Sequence, residues 1–525
     1  MGYRSGCGDC RNCNSIIGVD YEFMDLKNLQ KKYPRFIYEK YSHKISGNNL
    51  EIFFDFKIEP NPASQQAGYE TSIKFQPKIV IENINKLQIE KVGDSVLNNL
   101  IFNLGLIEMI SYWKATCSSE IVVEAGFLNS EQIKWWKNLF IKGMGQFFYE
   151  NKINFIVSNF FQIKNSPCLF NLNLKNHQSE NPAAAVILDG PFLRKNEVLV
   201  PVGGGKDSAV TLELLKRTGK NIRCFSLNPT RAALKTMKVA GCKKPIVVRR
   251  KIDKKLLELN RKGFLNGHTP FSAYLAFLSV LAAAIFGNKY IVLSNERSSN
   301  EGNVKYLGEI INHQWSKSFE FEQKFRNYCK RYLTPPSLPL RESSVIEYFS
   351  FLRPLYEIQI AKLFNEYPKY FPVFLSCNEA YKTASGTKKP TKKWCGKCSK
   401  CLFVFAILYP FIKDKKLIKI FNKNLFEDKT LLPIMQQLMG ERGFKPFECV
   451  GTKKESLIAF YLSWKKNRGR ASVKLPFLLD YFEKKILPKY RNLEKESKIL
   501  LNFWDSRNNL PEGLKKILRE SSKKR

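Results

Sequence analysis

Acidic residues are scarce in this chain of 525 residues: 47 Asp and Glu stand against 86 Lys and Arg, for a formal net charge of +39, and only 4 residues are histidine. Apolar runs long enough to cross a bilayer are also missing. The longest, Tyr274 to Gly287 and Cys401 to Ile412, fall short of the ~20 residues a spanning helix needs. The opening Met1-Gly2-Tyr3-Arg4-Ser5-Gly6-Cys7 has no apolar signal region, so a soluble protein without membrane insertion is expected. Thirteen cysteines, an odd number in a chain without a secretory signal, point to reduced thiols or metal ligands rather than a disulfide frame, and to a cytoplasmic setting. No internal repeat is present beyond a recurring cysteine spacing. What the chain has in plenty is core material: 13% of it is aromatic, with 40 Phe, which argues against global disorder. Its length suits roughly three domains.

The most informative stretch is Glu197-Val198-Leu199-Val200-Pro201-Val202-Gly203-Gly204-Gly205-Lys206-Asp207-Ser208, an apolar run that ends in three glycines and leads into Ala209-Val210-Thr211-Leu212-Glu213-Leu214-Leu215-Lys216. A backbone without Cβ atoms can turn tightly there while aiming several N–H groups at one point, and Asp207 with Ser208 can cap the following helix. Such a turn cradles an anion, because the loop amides and the positive end of the helix face the same place. A Walker A loop would need Gly where Val200 stands and Ser or Thr where Asp207 stands. A dinucleotide fingerprint starting at Gly203 would need Gly or Ala in place of Ser208. Both fail. The remaining pattern resembles the PP-loop of the ATP pyrophosphatase superfamily, Ser-Gly-Gly-x-Asp-Ser after a first strand, with Gly203 replacing the leading Ser.

Residues 1 to 190 read as a separate α+β domain. Leu50 to Phe56 and Ser72 to Phe75 partly alternate apolar with polar residues as half-buried strands do, and Ser95 to Trp113 and Ser130 to Phe148 carry helical spacing. The polar segment from Gln178 to Pro191, with Pro182, marks the boundary. Residues 191 to 421 alternate strand and helix: helix Asp207 to Arg217, strand Ile222 to Leu227, a helix from Arg231 to Gly241, strand Ile246 to Val248, helix Lys254 to Asn260, a helix over Phe271 to Phe286 and strand Tyr290 to Leu293. The fold class expected is α/β, a doubly wound parallel sheet of PP-loop type, whose ligands collect beyond the carboxyl ends of the strands. Residues 422 to 525 form a Lys-rich region that is largely helical by spacing.

Cys395, Cys398 and Cys401 supply three thiolates at two-residue gaps, with Cys377 upstream as a fourth. Short turns can aim such thiolates at one tetrahedral Zn²⁺. The same gaps occur in iron–sulfur ligation, and zinc is preferred. Cys7, Cys10 and Cys13 repeat the spacing but have no obvious fourth ligand, so no additional site is expected there.

Several motifs in one order resemble a single PP-loop family, the bacterial UDP-N-acetylmuramoyl-L-alanyl-L-glutamate epimerases. They are Gly203 to Ser208, Asn266-Gly267-His268, Ser294-Asn295-Glu296-Arg297-Ser298, Asn312-His313-Gln314 with Ser316-Lys317-Ser318, Cys395 to Val404, and Lys445 to Gly451. Gly at the first loop position is the form this family uses. The resemblance implies conversion of the terminal L-Glu of UDP-MurNAc-L-Ala-L-Glu to D-Glu in peptidoglycan precursor synthesis, with ATP and Mg²⁺ giving AMP and pyrophosphate. On that footing the amides of Gly203, Gly204, Gly205 and Ser208 would hold pyrophosphate, Lys206 would neutralise it, and Asp207 would position Mg²⁺ or a phosphate. Ser226 and Asn228 would lie beside the adenosine. Glu296 would hold metal, Arg297 would grip a carboxylate or phosphate unless it pairs with Glu296 instead, and His268 would transfer the proton. A rival is a PP-loop enzyme that adenylates a tRNA base, favoured by the net charge and the cysteines. The lysines are spread over the whole chain, and a small anionic substrate profits from the same field, so nucleic acid is the less favoured partner.

Overall fold

The computed structural model describes residues 25–63, 71–166, 194–333, 346–381, 391, 393–469 and 474–523. Cys7, Cys10 and Cys13 and the segment from 178 to 191 lie outside the described residues. Strands β1 (Arg35–Ser46) and β2 (Asn49–Glu59) form an antiparallel hairpin. Strict alternation along β2 sends Leu50, Ile52, Phe54, Phe56 and Ile58 into the core, the period of two that a half-buried strand requires. Short β3 (Ile73–Phe75) and β4 (Lys78–Glu82) pair antiparallel with β2. On the other flank β5 (Glu120–Val123) runs parallel to β1, and β6 (Gln162–Asn165) runs parallel to β5.

After residue 194 the alternation produces parallel pairing among five strands. The strands are β7 (Arg194–Pro201), β8 (Asn221–Leu227), β9 (Ile246–Lys251), β10 (Asn288–Leu293) and, after the separate ribbon of β11 (Val304–Tyr306) and β12 (Glu309–Ile311), β13 (Glu347–Ser350). Their spatial order is β9-β8-β7-β10-β13. The chain steps outward from β7 to β9, then returns past β7 to lay down β10 and β13, so the order reverses between β7 and β10. β9 also pairs antiparallel with β4, with Ile81 opposite Val248. One large, mostly parallel sheet therefore runs from β13 to β6 in a mixed α/β molecule.

Alternate residues of the central strands feed two cores. Leu199, Phe225 and Ile291 face the core that holds the helix Phe271–Phe286 and the aromatic N-terminal residues. Val198, Val200, Cys224 and Val292 face the helix Lys206–Lys216 and the C-terminal helices. Phe271–Phe286 is apolar all round and nearly all buried, as a helix wedged between layers must be, and it ends at left-handed Gly287. The C-terminal region is helical, chiefly Leu432–Met439, Lys453–Arg468, Leu493–Leu501 and Glu512–Lys523. Among the described residues no helix is long and apolar enough to cross a membrane. The expectation that cysteines stay reduced or bind metal needs one correction: Cys224 in β8 and Cys242 beyond the helix Arg231–Val239 form a disulfide.

Candidate active site

The strand order reverses between β7 and β10, and it is beyond the carboxyl ends of strands at such a reversal that open α/β sheets form their ligand crevice. The glycine loop follows β7 and the Ser294–Ser298 loop follows β10, so both meet there. Gly204 has φ +90°, and a Cβ on it would lie 2.6 Å from the amide nitrogen of Ala233; only glycine lets the helix Arg231–Val239 approach this closely. A Cβ at Gly203 would meet nothing within 4 Å, so this position has room for a side chain. The cap differs from the sequence expectation. Gly205 is the N-cap of Lys206–Lys216 and no side chain caps it, Asp207 lies within the first turn, and the Ser208 hydroxyl donates to the Gly205 carbonyl at 3.1 Å. The helix therefore presents its first amides without a side-chain acceptor, next to the glycine turn.

Lys206 is 1% exposed, and its ammonium donates to Asp207 Oδ1 and to Glu357 Oε2, both at 2.5 Å. Burial alone would lower its pKa, but the two carboxylates outweigh that and hold it above the ordinary value. Glu357, the first residue of the helix Glu357–Phe364, also faces the Lys400 ammonium at 3.4 Å. Against its burial, Lys206 and Lys400 lower its pKa to about 2. Glu296 is 5% exposed and moves the other way: burial and the neighbouring Glu357 charge raise it to about 7, opposed by Lys317. One carboxyl is thus fixed as the anion while its neighbour sits at the edge of protonation near neutrality, the separation that acid–base chemistry requires.

A second wall carries the histidines. Lys114 holds the loop of His268, donating to Asn266 Oδ1 at 2.9 Å and the Gly267 carbonyl at 2.8 Å. The His268 and His313 rings lie 4.7 Å apart between centroids. His313 Nδ1 meets Gln146 Oε1 at 2.6 Å, and its Nε2 faces Cys449 Sγ at 3.7 Å, which the Lys317 ammonium contacts at 3.2 Å. Desolvation comes first and nearby lysines second in depressing His313 to about 3; desolvation, His313 and Lys114 also lower His268. Both imidazoles are therefore neutral near physiological pH. The Lys445–Gly451 loop is attached by Asn303, which donates to the Pro446 carbonyl at 2.7 Å, and by Gln314, which donates to the Val450 carbonyl at 3.4 Å.

Other residues singled out in the sequence fall outside this cluster. Arg297 does not pair with Glu296: it forms an ion pair with Asp505, donates to Tyr356 Oη at 3.1 Å and stacks over Phe503 at 4.9 Å. Ser226, buried at the end of β8, donates to the Val202 carbonyl at 3.1 Å. Asn228 adopts φ +43° and brackets Arg250, donating to its carbonyl and accepting from its amide at 3.0 Å each, which extends the β8–β9 pairing. The sulfurs of Cys377, Cys395, Cys398 and Cys401 do converge, all within 4.8 Å of one another.

Sequence reasoning gave no role to Glu357, Lys400 or Arg353. Arg353 is fully buried and binds the carbonyls of Glu296, at 2.7 Å, and Lys317, setting the distance between the carboxyl and histidine walls. No local pattern marks Glu357 or Arg353, and Lys400 lies within the Cys395–Val404 motif without a spacing that assigns it a task, because each acts across a large sequence separation. Lys317, His313 and Cys449 lay in segments with a motif, but not with a spacing that assigned them a task.

The arrangement offers an anion site at an uncapped helix start lined by lysines, carboxyls able to bind a cation, and neutral imidazoles. The profile of the MurL N-terminal domain matches residues 28–350 and that of the MurL C-terminal domain matches residues 373–486. The UDP-N-acetyl-alpha-D-muramoyl-L-alanyl-L-glutamate epimerases of a Micromonospora species and of Salinispora tropica are each 33% identical to the chain, over 74% of its length and 79% and 78% of their own. That of Xanthomonas oryzae pv. oryzae is 32% identical over 69% of the chain and 75% of its own length. No solved structure matches significantly. Two family profiles covering most of the chain, together with relatives at this identity, show that it belongs to the UDP-N-acetyl-alpha-D-muramoyl-L-alanyl-L-glutamate epimerase family.

Proposed function

We propose that the chain inverts the α-carbon of the terminal L-Glu of UDP-MurNAc-L-Ala-L-Glu to give D-Glu, after ATP has adenylated the adjoining carboxylate and released pyrophosphate. The chemistry requires that order. A free carboxylate resists loss of its α-proton because the enolate would carry a second negative charge, and an acyl adenylate removes that obstacle. The observation that carries the reading is the uncapped glycine-loop helix start opening beside Lys206, Glu357 and Glu296 at the β7–β10 crevice. This is the cradle expected of a PP-loop.

In this scheme the amides of Gly203 to Gly205 and Ser208 take the pyrophosphate, and Lys206 turns from Asp207 towards it. Asp207 and Glu296 supply the oxygens that a Mg²⁺ favours. When bound, Mg²⁺ neutralises charge on the phosphates. His268, with His313 beside it and Cys449 against His313, moves the α-proton, and an anionic substrate beside the pair raises their depressed basicity. Water then releases AMP. Ser226 and Asn228 flank the adenosine through their backbone. Arg297, bound to Asp505, braces the loop. Substitutions in the loop test the reading. Lys206→Ala and Asp207→Ala should each lower substrate-dependent pyrophosphate release at least a hundredfold, on the order of 3 kcal/mol; full release in both variants would remove the assignment.

A further inference from the structure

The function just described does not use the four-cysteine cluster, which is too well organised for idle thiols. Cys377 comes from one segment and Cys395, Cys398 and Cys401 from another. All four sulfurs lie within 4.8 Å of one another, and Cys377 and Cys401 are fully buried. The Cys395 and Cys401 sulfurs are 3.6 Å apart. That is far longer than the ~2.05 Å of a disulfide and close to the ~3.8 Å edge of a tetrahedron with metal–sulfur bonds of ~2.3 Å. Left-handed Gly396, at φ +66°, turns the chain so that the Lys397 amide donates to Cys395 Sγ at 3.4 Å, the kind of supporting hydrogen bond that steadies a thiolate ligand. Cys398 occupies the N-cap of the helix Ser399–Leu408, where the helix field favours a thiolate. Four thiolates converging this tightly fit one ion; those of a cubane cluster bind four different irons and stand wider apart.

We propose that Cys377, Cys395, Cys398 and Cys401 hold one structural Zn²⁺, and that this knot fixes one wall of the glycine-loop pocket. The mechanical link is short on both sides. Two residues before Cys377, the Leu375 amide donates to the Gly204 carbonyl at 2.9 Å, and the Ser376 Cβ lies 3.5 Å from where a Cβ on Gly205 would be. Between Cys398 and Cys401, Lys400 sends its ammonium to Glu357 and to the Cys449 carbonyl, while its amide donates to Glu448 Oε2 at 2.5 Å. One ion thus ties the glycine loop, the partner of Lys206 and the Cys449 loop together. The metal site stands on the sulfur geometry alone; its effect on nucleotide binding rests on the function proposed above.

The test uses the full chain purified without a metal-binding tag. Elemental analysis should give one zinc per chain, and zinc-edge X-ray absorption should give four sulfur neighbours at ~2.3 Å. Zinc absent, zinc bound by nitrogen or oxygen, or iron in its place overturns the site. A mercurial thiol reagent should release that zinc, and Cys398→Ser, should it fold, should fail to retain it. ATP affinity should fall at least tenfold once zinc is released; unchanged affinity overturns the link to the pocket. If the zinc-loaded protein itself fails to bind ATP, the proposed function fails, while metal content and sulfur ligation still decide the site.

Discussion

Glu296 and Glu357 are both buried carboxyls, yet their neighbours push them in opposite directions. Glu357 has Lys206 and Lys400 against it and stays ionised, whereas Glu296 has burial and the Glu357 charge against it and is raised to about 7. Between its ordinary value of 4.5 and about 7, the folded chain keeps a proton that the unfolded chain has released. The stability tied to Glu296 is therefore full below pH 4.5 and is lost as pH rises through 7. Glu296→Gln should match the parent's thermal stability near pH 4.5 and exceed it increasingly towards pH 8, by ~1.4 kcal/mol for each unit of separation at most. Equal melting curves at pH 8 would contradict this placement. Lys206 and Asp207 were legible because a loop motif names them. Glu357 was not, because it reaches Lys206 from 151 residues away and an isolated Glu at the start of a helix carries no signal of burial.

At the level of single elements, the glycine loop separates two kinds of glycine. Gly204 is compelled by its φ of +90° and by the Ala233 backbone, whereas Gly203 faces open space. Gly204→Ala should destabilise the protein by ~1–3 kcal/mol and abolish ATP binding. Gly203→Ser should leave the melting temperature within a degree or two and retain pyrophosphate release. Comparable losses in both variants would mean that the loop is shaped differently. Strands β7 to β10 and their helices were readable because each carries an apolar run punctuated by Gly or Pro, and Phe271–Phe286 falls where its composition places it. β1, β13 and the short strands β4, β5, β6, β11 and β12 were missed. The exposed half of β1, Glu39 to Ser46, alternates with mostly polar residues, and β13 is four residues long, so neither offers the hydrophobic period that marks a strand.

Across the whole molecule, pairing between β4 and β9 makes the N-terminal strands part of the sheet that carries the crevice, a long-range contact that no periodicity announces. A buried ion pair reinforces that seam. Arg250 in β9 donates from Nε and Nη2 to the carboxylate of fully buried Glu108, at 2.8 to 3.0 Å, and from Nη2 to Ser111 Oγ at 2.8 Å. Arg250→Ala leaves that carboxylate without a partner and should cost ~3–5 kcal/mol, read as a drop in denaturant midpoint; a loss below ~1 kcal/mol would show the seam to be held by other contacts. The crevice, the histidine wall and the cysteine knot all depend on this frame, and together they make a single chemical claim. Incubating the protein with UDP-MurNAc-L-Ala-L-Glu, ATP and Mg²⁺ in deuterium oxide tests it most directly. The account predicts deuterium at the glutamyl α-carbon, D-Glu in the product and pyrophosphate released with it. Pyrophosphate without α-deuterium, or no turnover of this dipeptide at all, would contradict it.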